Sequence, residues 1–235
     1  MKIAVMQPFF LPWLAYFSLI KHTDRFILLD PVQFTNAWVN RNRILKPELG
    51  WQYIVIPLVK HRRDIRINDV CIYHSTDWRE RILCQLVHYK KRAPFYDNSV
   101  EVLKQALAIE TDSIVQLNRR VLQTVCDYIG IKFNVDIYSQ MEPPVKKALA
   151  SDEWGLNMCK ALGDVDEFWE PEGGRKIYSR SKYDEAGVTI KFLKFNFPIY
   201  SQGRPEFEAG LSIIDLMMFN SPQRINQMLD DYELL

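Results

Sequence analysis

The sequence has 235 residues, of which 48% are hydrophobic and 25% are charged, as in ordinary globular proteins. Its 30 basic residues balance 29 acidic ones, which argues against a protein built mainly to hold nucleic acid or anionic lipid. The four cysteines are widely spaced without a CxxC pair, and no apolar run approaches the roughly 20 residues that a membrane span requires.

The opening segment MKIAVMQP predicts a short strand ended by proline, which is not the pattern of a signal peptide. Together with the scattered cysteines, this favours a cytoplasmic protein without a membrane span. HxH and HExxH are absent, so we expect no metal site. The signatures GxGxxG, GxxxxGK[ST] and GxSxG are absent too, and we expect no bound cofactor.

The first third of the chain predicts an α/β fold with a mainly parallel sheet. The runs KIAVM and RFILLD are continuously apolar, as strands buried on both faces tend to be. Between them, PWLAYFSLIKHTD predicts a helix with Pro12 in its first turn, where a missing N–H costs nothing. Strand, helix and strand make a βαβ unit. WQYIVIP predicts a third strand and DIRINDVCIY a fourth.

The middle of the chain predicts helices. STDWRERILCQLVHYK begins with Asp77 three residues before Glu80, which is the spacing of a capping box. Helices are also predicted in VEVLKQALAI, in SIVQLNRRVLQTVCDYIG and in ASDEWGLNMCKALG, the last two ending at glycine. IKFNVDIY alternates in polarity and predicts a half-buried strand.

Near its end the chain predicts a strand at VTIKFLKF and two short helices at LSIIDLMMFN and SPQRINQMLDDY. No repeat and no long linker is present, so we expect a single domain over 1–235. Within it, 1–75 should be α/β, 76–170 mainly helical and packed on the sheet, and 171–235 a strand plus helices. The spacing of Ser212 and Asp215 resembles a capping box, which favours a structural role for Asp215.

Polar residues follow the first two predicted strands. In open parallel sheets ligands bind beyond the carboxyl ends of the strands, so Gln7, Trp13, Asp30 and Gln33 should face one crevice. Asp30 is the candidate catalytic group, although it also fits a turn residue before Pro31. The prolines and aromatics of QPFFLPWLAYF, Tyr16 among them, would line or seal that crevice.

The segment WVNRNR carries the strongest binding pattern. In an extended backbone Arg41 and Arg43 share one face, while Trp38, Asn40 and Asn42 share the other. Two guanidinium groups suit a phosphate or carboxylate, and the asparagines supply donors and acceptors. The plain alternative is a solvated charged loop. The basic run KHRRDIR, residues 60–66, is better explained as solvated surface.

The segment FLPWLAYF invites comparison with the FxPxHxGH motif of nucleotidylyltransferases. It has the proline and the position, but aromatic residues stand where the phosphate-binding histidines should be. The architecture can be related while that chemistry cannot be the same.

Five segments together resemble the WbqC-like family: QPFFLPWLAYFSLI, DRFILLDPVQFTNAWVNRNRI, YIVIPL, YKKRAPFY and LSIIDLMMFN. The resemblance runs from Ile3 to Asn220 and follows the family pattern QPxYLPWxGYF, LDxVQF and WxNRNRI in order. Phe10 replaces the usual tyrosine and Ala15 the usual glycine, and NSP replaces the usual asparagine–x–glycine.

The resemblance implies a role in making bacterial O-antigen and other surface polysaccharides, where a glycine transferase acting on an amino sugar has been suggested for some members. In such an enzyme Arg41 and Arg43 would hold pyrophosphate, Trp13 and Trp38 the sugar or base, and Asp30 would take a proton from the amine. The expected partners are a sugar nucleotide and an acyl donor. A non-catalytic sugar-nucleotide-binding protein is the alternative, and nucleotidyl transfer is a third.

Overall fold

The computed structural model describes residues 1–35, 37–142 and 145–235, which form an α/β fold. The strands are β1 (Lys2–Met6), β2 (Arg25–Leu28), β3 (Arg41–Leu45), β4 (Trp51–Val55), β5 (Val135–Ile137), β6 (Glu167–Pro171), β7 (Thr189–Phe195) and β8 (Tyr232–Leu234). The helices are α1 (Leu14–His22), α2 (Trp78–Leu86), α3 (Tyr96–Leu107), α4 (Ile114–Ile129), α5 (Glu153–Leu162), α6 (Arg180–Asp184), α7 (Ile213–Phe219) and α8 (Pro222–Met228).

Six strands make one sheet in the order β5-β2-β1-β6-β7-β8. All neighbours are parallel except β7 and β8. β1, α1 and β2 are the predicted βαβ unit, which is confirmed. β3 and β4 form a separate antiparallel hairpin, so the predicted third strand exists outside the main sheet.

The sheet has a hydrophobic core on each face. Ala4 and Phe26 pack with α1, α4 and α7 in the larger core, whereas their neighbours Ile3, Val5 and Ile27 pack with α5 in the smaller one. Because successive side chains of a strand point to opposite faces, a strand covered on both sides must be apolar throughout. This explains why KIAVM and the apolar part of RFILLD do not alternate in polarity.

The segment predicted as a fourth strand does not join a ladder. Residues 64–73 contain a single 3₁₀ turn at Ile67–Asp69 and only isolated bridges to neighbouring segments. The backbone N–H of Asn68 donates to the carbonyl of Asp30 at 3.0 Å, and the N–H of Ile67 donates to that of Val32 at 2.9 Å. These bonds tie the segment to the loop after β2, so its backbone groups are satisfied without a strand partner.

A strand within the supposedly helical region was missed. β6 pairs with both β1 and β7 at the centre of the sheet. Its sequence EFWEP has only two adjacent apolar residues between two glutamates, so neither period 2 nor a continuous apolar run marks it. The region 76–170 therefore contributes β5 and β6 to the sheet as well as helices. The strand predicted over residues 131–138 is shorter in the structure, where only the three residues of β5 are in strand conformation.

Helix boundaries agree with the predicted signals at several points. The Asp77 side chain accepts from the Glu80 N–H at 3.0 Å, and α4 ends at Gly130 with a φ of +69°. α1 begins at Leu14, two residues later than predicted, because Trp13 is its N-cap and Pro12 lies outside it. The capping-box interpretation of Asp215 is wrong. Ser212 caps α7 by accepting from the Ile214 N–H, while Asp215 is buried and its carboxylate accepts hydrogen bonds from side chains outside α7.

Candidate functional site at the carboxyl ends of the strands

A cleft of about 920 Å³ opens where three parallel strands end. Gln7 directly follows β1, the segment from Leu29 to Gln33 follows β2, and Tyr138 and Ser139 follow β5. Carboxyl ends of parallel strands lie at one edge of a sheet, which is where α/β proteins place ligands. Of the residues predicted for the crevice, Gln7 and Gln33 line this cleft.

The strand order places a topological switch point beside β1. From β1 the chain adds β2 and then β5 on one side, and it next crosses over to add β6 on the other side. At such a point the connections leave the strand end in opposite directions and create a crevice. Gln7 at the end of β1 therefore lies at the position that the sheet topology favours for a ligand.

Asp30 lies immediately beneath the cleft and is held by a residue that lines it. The Ser139 hydroxyl donates to Oδ2 of Asp30 at 2.5 Å, and the Ser139 backbone N–H donates to Oδ1 at 2.9 Å. Asp30 is 1% exposed, and burial raises its pKa while the two bonds from Ser139 oppose that rise. Asp30 thus reaches the cleft through the Ser139 hydroxyl.

Glu170 is a buried carboxyl that the sequence did not suggest. It is 5% exposed on β6, and the hydroxyl of Tyr178, a residue lining the cleft, donates to its Oε1 at 2.5 Å. Burial raises the pKa of Glu170 to about 8, and the bond from Tyr178 opposes that rise. In EFWEP two glutamates flank two aromatics, and only the position of β6 within the sheet shows which of them is buried.

Charged and aromatic side chains also line the cleft. Arg66 and Lys147 supply positive charge, and the acidic Asp64 and Glu142 also line the cleft. Tyr138 and Trp154 pack edge to face with ring centroids 5.5 Å apart. Arg66 belongs to the basic run that was interpreted as solvated surface, and it is exposed, but its place at the cleft gives it access to a ligand.

The predicted alternation is confirmed for Arg41, Asn42 and Arg43 on β3, but the placement of Trp38 on the opposite face is wrong, because Trp38 packs against Arg43. Arg41 and Arg43 are half-buried on one face, and Asn42 between them is buried. Arg43 lies between two tryptophans, with its guanidinium carbon 5.3 Å from the Trp38 ring centroid and 5.2 Å from that of Trp51. Arg41 lies over Tyr53 at 4.9 Å. Neither arginine is among the described residues that line the cleft with Gln7.

The two asparagines of WVNRNR have backbone partners. Nδ2 of Asn42 donates to the carbonyls of Phe10 and Leu11 at 3.0 and 2.9 Å, and Nδ2 of Asn40 donates to that of Ile56 at 2.9 Å. Leu11 has a φ of +45°, a conformation that leucine rarely adopts. The amide of Asn42 satisfies the buried carbonyls at this bend and joins the hairpin to the segment after β1.

The aromatic side chains after β1 are mostly packed against one another. Trp13 lies 5.6 Å from Phe9 and 5.8 Å from Trp38 between ring centroids. Tyr16 is buried, and its hydroxyl donates to the Gln7 carbonyl at 2.9 Å. The prolines and aromatics of QPFFLPWLAYF therefore fix the exit of the chain from β1 and the position of Gln7.

Two findings concern metal ligands and membrane spans. Among the described residues, no group of three or more histidine, cysteine, aspartate or glutamate side chains could hold a metal ion. Within the same part of the chain, no helix has both the length and the apolar character to cross a membrane.

Comparison with known proteins decides the family. The pattern of the WbqC-like protein family matches residues 7–227. The chain belongs to the WbqC-like family. This WbqC-like protein is also similar to an uncharacterized protein of Mycobacterium tuberculosis, with 30% identity over 220 residues that cover 92% of each chain. No solved structure matches it.

Proposed function

We propose that this WbqC-like protein transfers an acyl group, with glycyl as the first candidate, to the amine of a nucleotide-linked amino sugar bound in the cleft. The observation that carries the proposal is the hydroxyl of Ser139, a residue that lines the cleft, which lies 2.5 Å from the buried carboxylate of Asp30. A serine in that position can pass a proton from a bound amine to the carboxylate behind it.

The chemistry follows from the requirements of acyl transfer. The amine attacks the carbonyl carbon of an activated ester or thioester, and its nitrogen then carries a proton that it must lose. Ser139 takes that proton as its own hydroxyl proton moves to Asp30. Burial raises the pKa of Asp30, so its carboxylate is a stronger base than an ordinary aspartate.

The cleft also offers surfaces that suit a sugar nucleotide. Tyr138, Trp154 and Tyr178 provide aromatic area for a sugar or base, and Arg66 and Lys147 provide positive charge for phosphate. Arg41 and Arg43, predicted for pyrophosphate, remain candidates for a more distant anionic part of the substrate, as Trp38 does for its base or sugar. The polysaccharide pathway is part of this proposal and follows from the family resemblance.

Turnover tests the proposal directly. Purified protein is incubated with UDP-glucosamine and a glycyl thioester, and mass spectrometry follows formation of the glycylated sugar. Ser139→Ala and Asp30→Asn should each lower the rate by about 100-fold, the lower range for lost acid–base catalysis. The matched control is Asp136→Asn, since Asp136 lies on β5 beside this site but pairs with Arg25 at 2.7 Å.

The result also separates the alternatives. Binding of UDP-glucosamine without turnover by any acyl donor would favour the non-catalytic binding protein. Release of pyrophosphate would favour nucleotidyl transfer. Full activity in both Ser139→Ala and Asp30→Asn would contradict the proposed proton route.

A further inference from the structure

Glu170 and Tyr178 form a second polar pair at the cleft, which the proton route through Asp30 leaves unused. Tyr178 lines the cleft, and its hydroxyl donates to the buried Glu170 carboxyl at 2.5 Å. The arrangement resembles the first pair, because in each a residue that lines the cleft donates its hydroxyl proton to a buried carboxyl group.

The fold fixes this second pair on the other side of β1. Asp30 follows β2 and Glu170 belongs to β6, and β2 and β6 are the two neighbours of β1 in the sheet. The turn after β6 packs closely on both groups, since a Cβ at Gly174 would lie 3.2 Å from the Tyr178 ring and 3.6 Å from the Glu170 Cβ. The tyrosine is thereby held over the carboxyl.

The two carboxyls differ in the number of donors that stabilise their charged forms. Asp30 accepts two hydrogen bonds from Ser139, which favour its carboxylate. Glu170 accepts one from Tyr178, and its pKa of about 8 leaves it mostly protonated at neutral pH. Burial raises the pKa of both carboxyls, but Asp30 has an additional backbone donor that opposes the rise, so the two groups are suited to act as base and acid in one reaction.

Among the described residues, the ionisable groups that act on Tyr178 and Glu170 do not supply the pair with a positive charge. Burial is the largest cause of the raised pKa of Tyr178, and Glu170 is the next. Tyr183 and Asp152 also raise this pKa electrostatically, by smaller amounts. Asp152 is itself paired with Lys182 at 2.9 Å. Since burial keeps the Tyr178 phenol from ionising, it can give up a proton only as it receives one from Glu170.

We propose that Tyr178 is the general acid of the transfer and that Glu170 acts through it as a positioning residue and proton source. This inference rests on the proposed function. When the tetrahedral intermediate collapses, the bond from carbon to the ester or thioester heteroatom breaks and the heteroatom leaves with the electron pair. The Tyr178 hydroxyl turns from Glu170 to the heteroatom and gives it the phenol proton, while the protonated Glu170 carboxyl becomes the donor and passes its proton to the phenol oxygen. Asp30 has gained one proton and Glu170 has lost one, and exchange with solvent resets both.

The experiment combines a pH–rate profile with a titration that needs no substrate. With UDP-glucosamine and the glycyl thioester, the wild-type rate should fall as pH rises through about 8, because Glu170 loses its proton. Tyr178→Phe and Glu170→Gln should each lower the rate by about 100-fold, and Glu170→Gln should also abolish that fall. Tyr96→Phe is the matched control, since Tyr96 begins α3 and is not among the described residues that line the cleft.

In parallel, ¹³C NMR of protein labelled at the glutamate carboxyl carbons follows the titration from about pH 5 to about pH 10. One resonance, absent in Glu170→Gln, should titrate near 8 and move in Tyr178→Phe but not in Tyr96→Phe.

The two measurements distinguish the possible failures. Turnover with the high-pH fall intact in Glu170→Gln overturns this inference and leaves the proposed function standing. If neither the wild type nor any variant turns over, the result counts against the proposed function. The NMR titration alone then tests whether Glu170 and Tyr178 form a coupled pair. A Glu170 resonance that titrates in the ordinary acidic range, or that ignores Tyr178→Phe, overturns the pair.

Discussion

At the scale of single residues, Glu170 combines deep burial with an ionisable group. Its side chain is 5% exposed, and its pKa is raised from 4.5 to about 8 because burial penalises the charged form. The folded protein therefore holds a proton that the unfolded chain releases near pH 4.5. The stability associated with this proton is complete below about pH 4.5, declines as pH rises and is lost above about pH 8.

This linkage predicts the stability of Glu170→Gln relative to the wild type. The glutamine has similar shape and no titration, so the variant should gain relative stability by about 1 kcal/mol per pH unit between pH 5 and pH 8. Urea unfolding at several pH values measures the difference. Glu167→Gln is the control on the same strand, because Glu167 is half-buried and accepts from the Trp169 indole. Parallel pH curves for wild type and Glu170→Gln would contradict the assignment.

Local patterns predicted some site residues and missed others for a physical reason. Gln7 and Gln33 line the cleft because they follow strand ends, and the alternation of Arg41 and Arg43 follows from extended backbone. Glu170 could not be found in this way, because a glutamate normally signals exposure. Its burial depends on pairing with β1 and β7, and β1 lies far away in sequence. It also depends on Tyr178, whose contact with Glu170 is recognised only in the fold.

At the scale of elements, a buried carboxylate links α7 to two distant segments. Asp215 accepts hydrogen bonds from Tyr89 at 2.8 Å, Tyr200 at 2.6 Å and Gln202 at 2.9 Å. The Tyr89 hydroxyl in turn accepts from the Leu45 N–H at 2.9 Å, so the network extends to β3. Asp215 therefore has a structural role, as predicted, but through this network and not as a helix cap.

We expect Asp215→Ala to lower the free energy of unfolding by about 3 kcal/mol, because three buried donors lose their acceptor. Denaturant unfolding measures this loss. Asp97→Ala, at an exposed position in the first turn of α3, should change stability by less than about 1 kcal/mol. Folded Asp215→Ala should keep its affinity for UDP-glucosamine. A variant of normal stability that fails to turn over would instead give Asp215 a functional role.

Among the elements, those with strong local signals were predicted and those defined by long-range pairing were not. KIAVM and RFILLD were recognised because both faces of these strands are buried. The segment 64–73 has a strand-like composition, but its backbone bonds to the loop after β2. β6 has a weak local pattern, and its place beside β1 comes from the crossover of the whole chain.

At the scale of the whole molecule, the cleft collects segments from three separated parts of the sequence. Its walls include Gln7 with residues from the loop after β2, then Asp64 and Arg66, and then some of the described residues between 138 and 178. The order of strands in the sheet brings the first and last of these together, and it cannot be read from local periodicity. A ligand that contacts all three should bind the folded protein and not the unfolded chain.

Thermal unfolding with UDP-glucosamine tests the charged residues proposed to hold the phosphates. A ligand at 100 times its Kd stabilises the native state by about 2.7 kcal/mol, so Tm should rise by several degrees. Because Arg66 and Lys147 line the cleft, Arg66→Ala and Lys147→Ala should reduce this rise. Arg62→Ala is the matched control, since Arg62 is exposed nearby and pairs with Asp64.

The same measurement tests the arginines of WVNRNR. Lysine keeps their charge but lacks the planar pair of donors, so Arg41→Lys and Arg43→Lys reduce the ligand-induced rise in Tm if either guanidinium binds phosphate. For Arg43, packed between Trp38 and Trp51, Tm without ligand should fall as well, because lysine cannot stack in the same way. An unchanged rise in both lysine variants, with a reduced rise in Arg66→Ala, would assign the phosphates to the cleft and reject the binding role of Arg41 and Arg43.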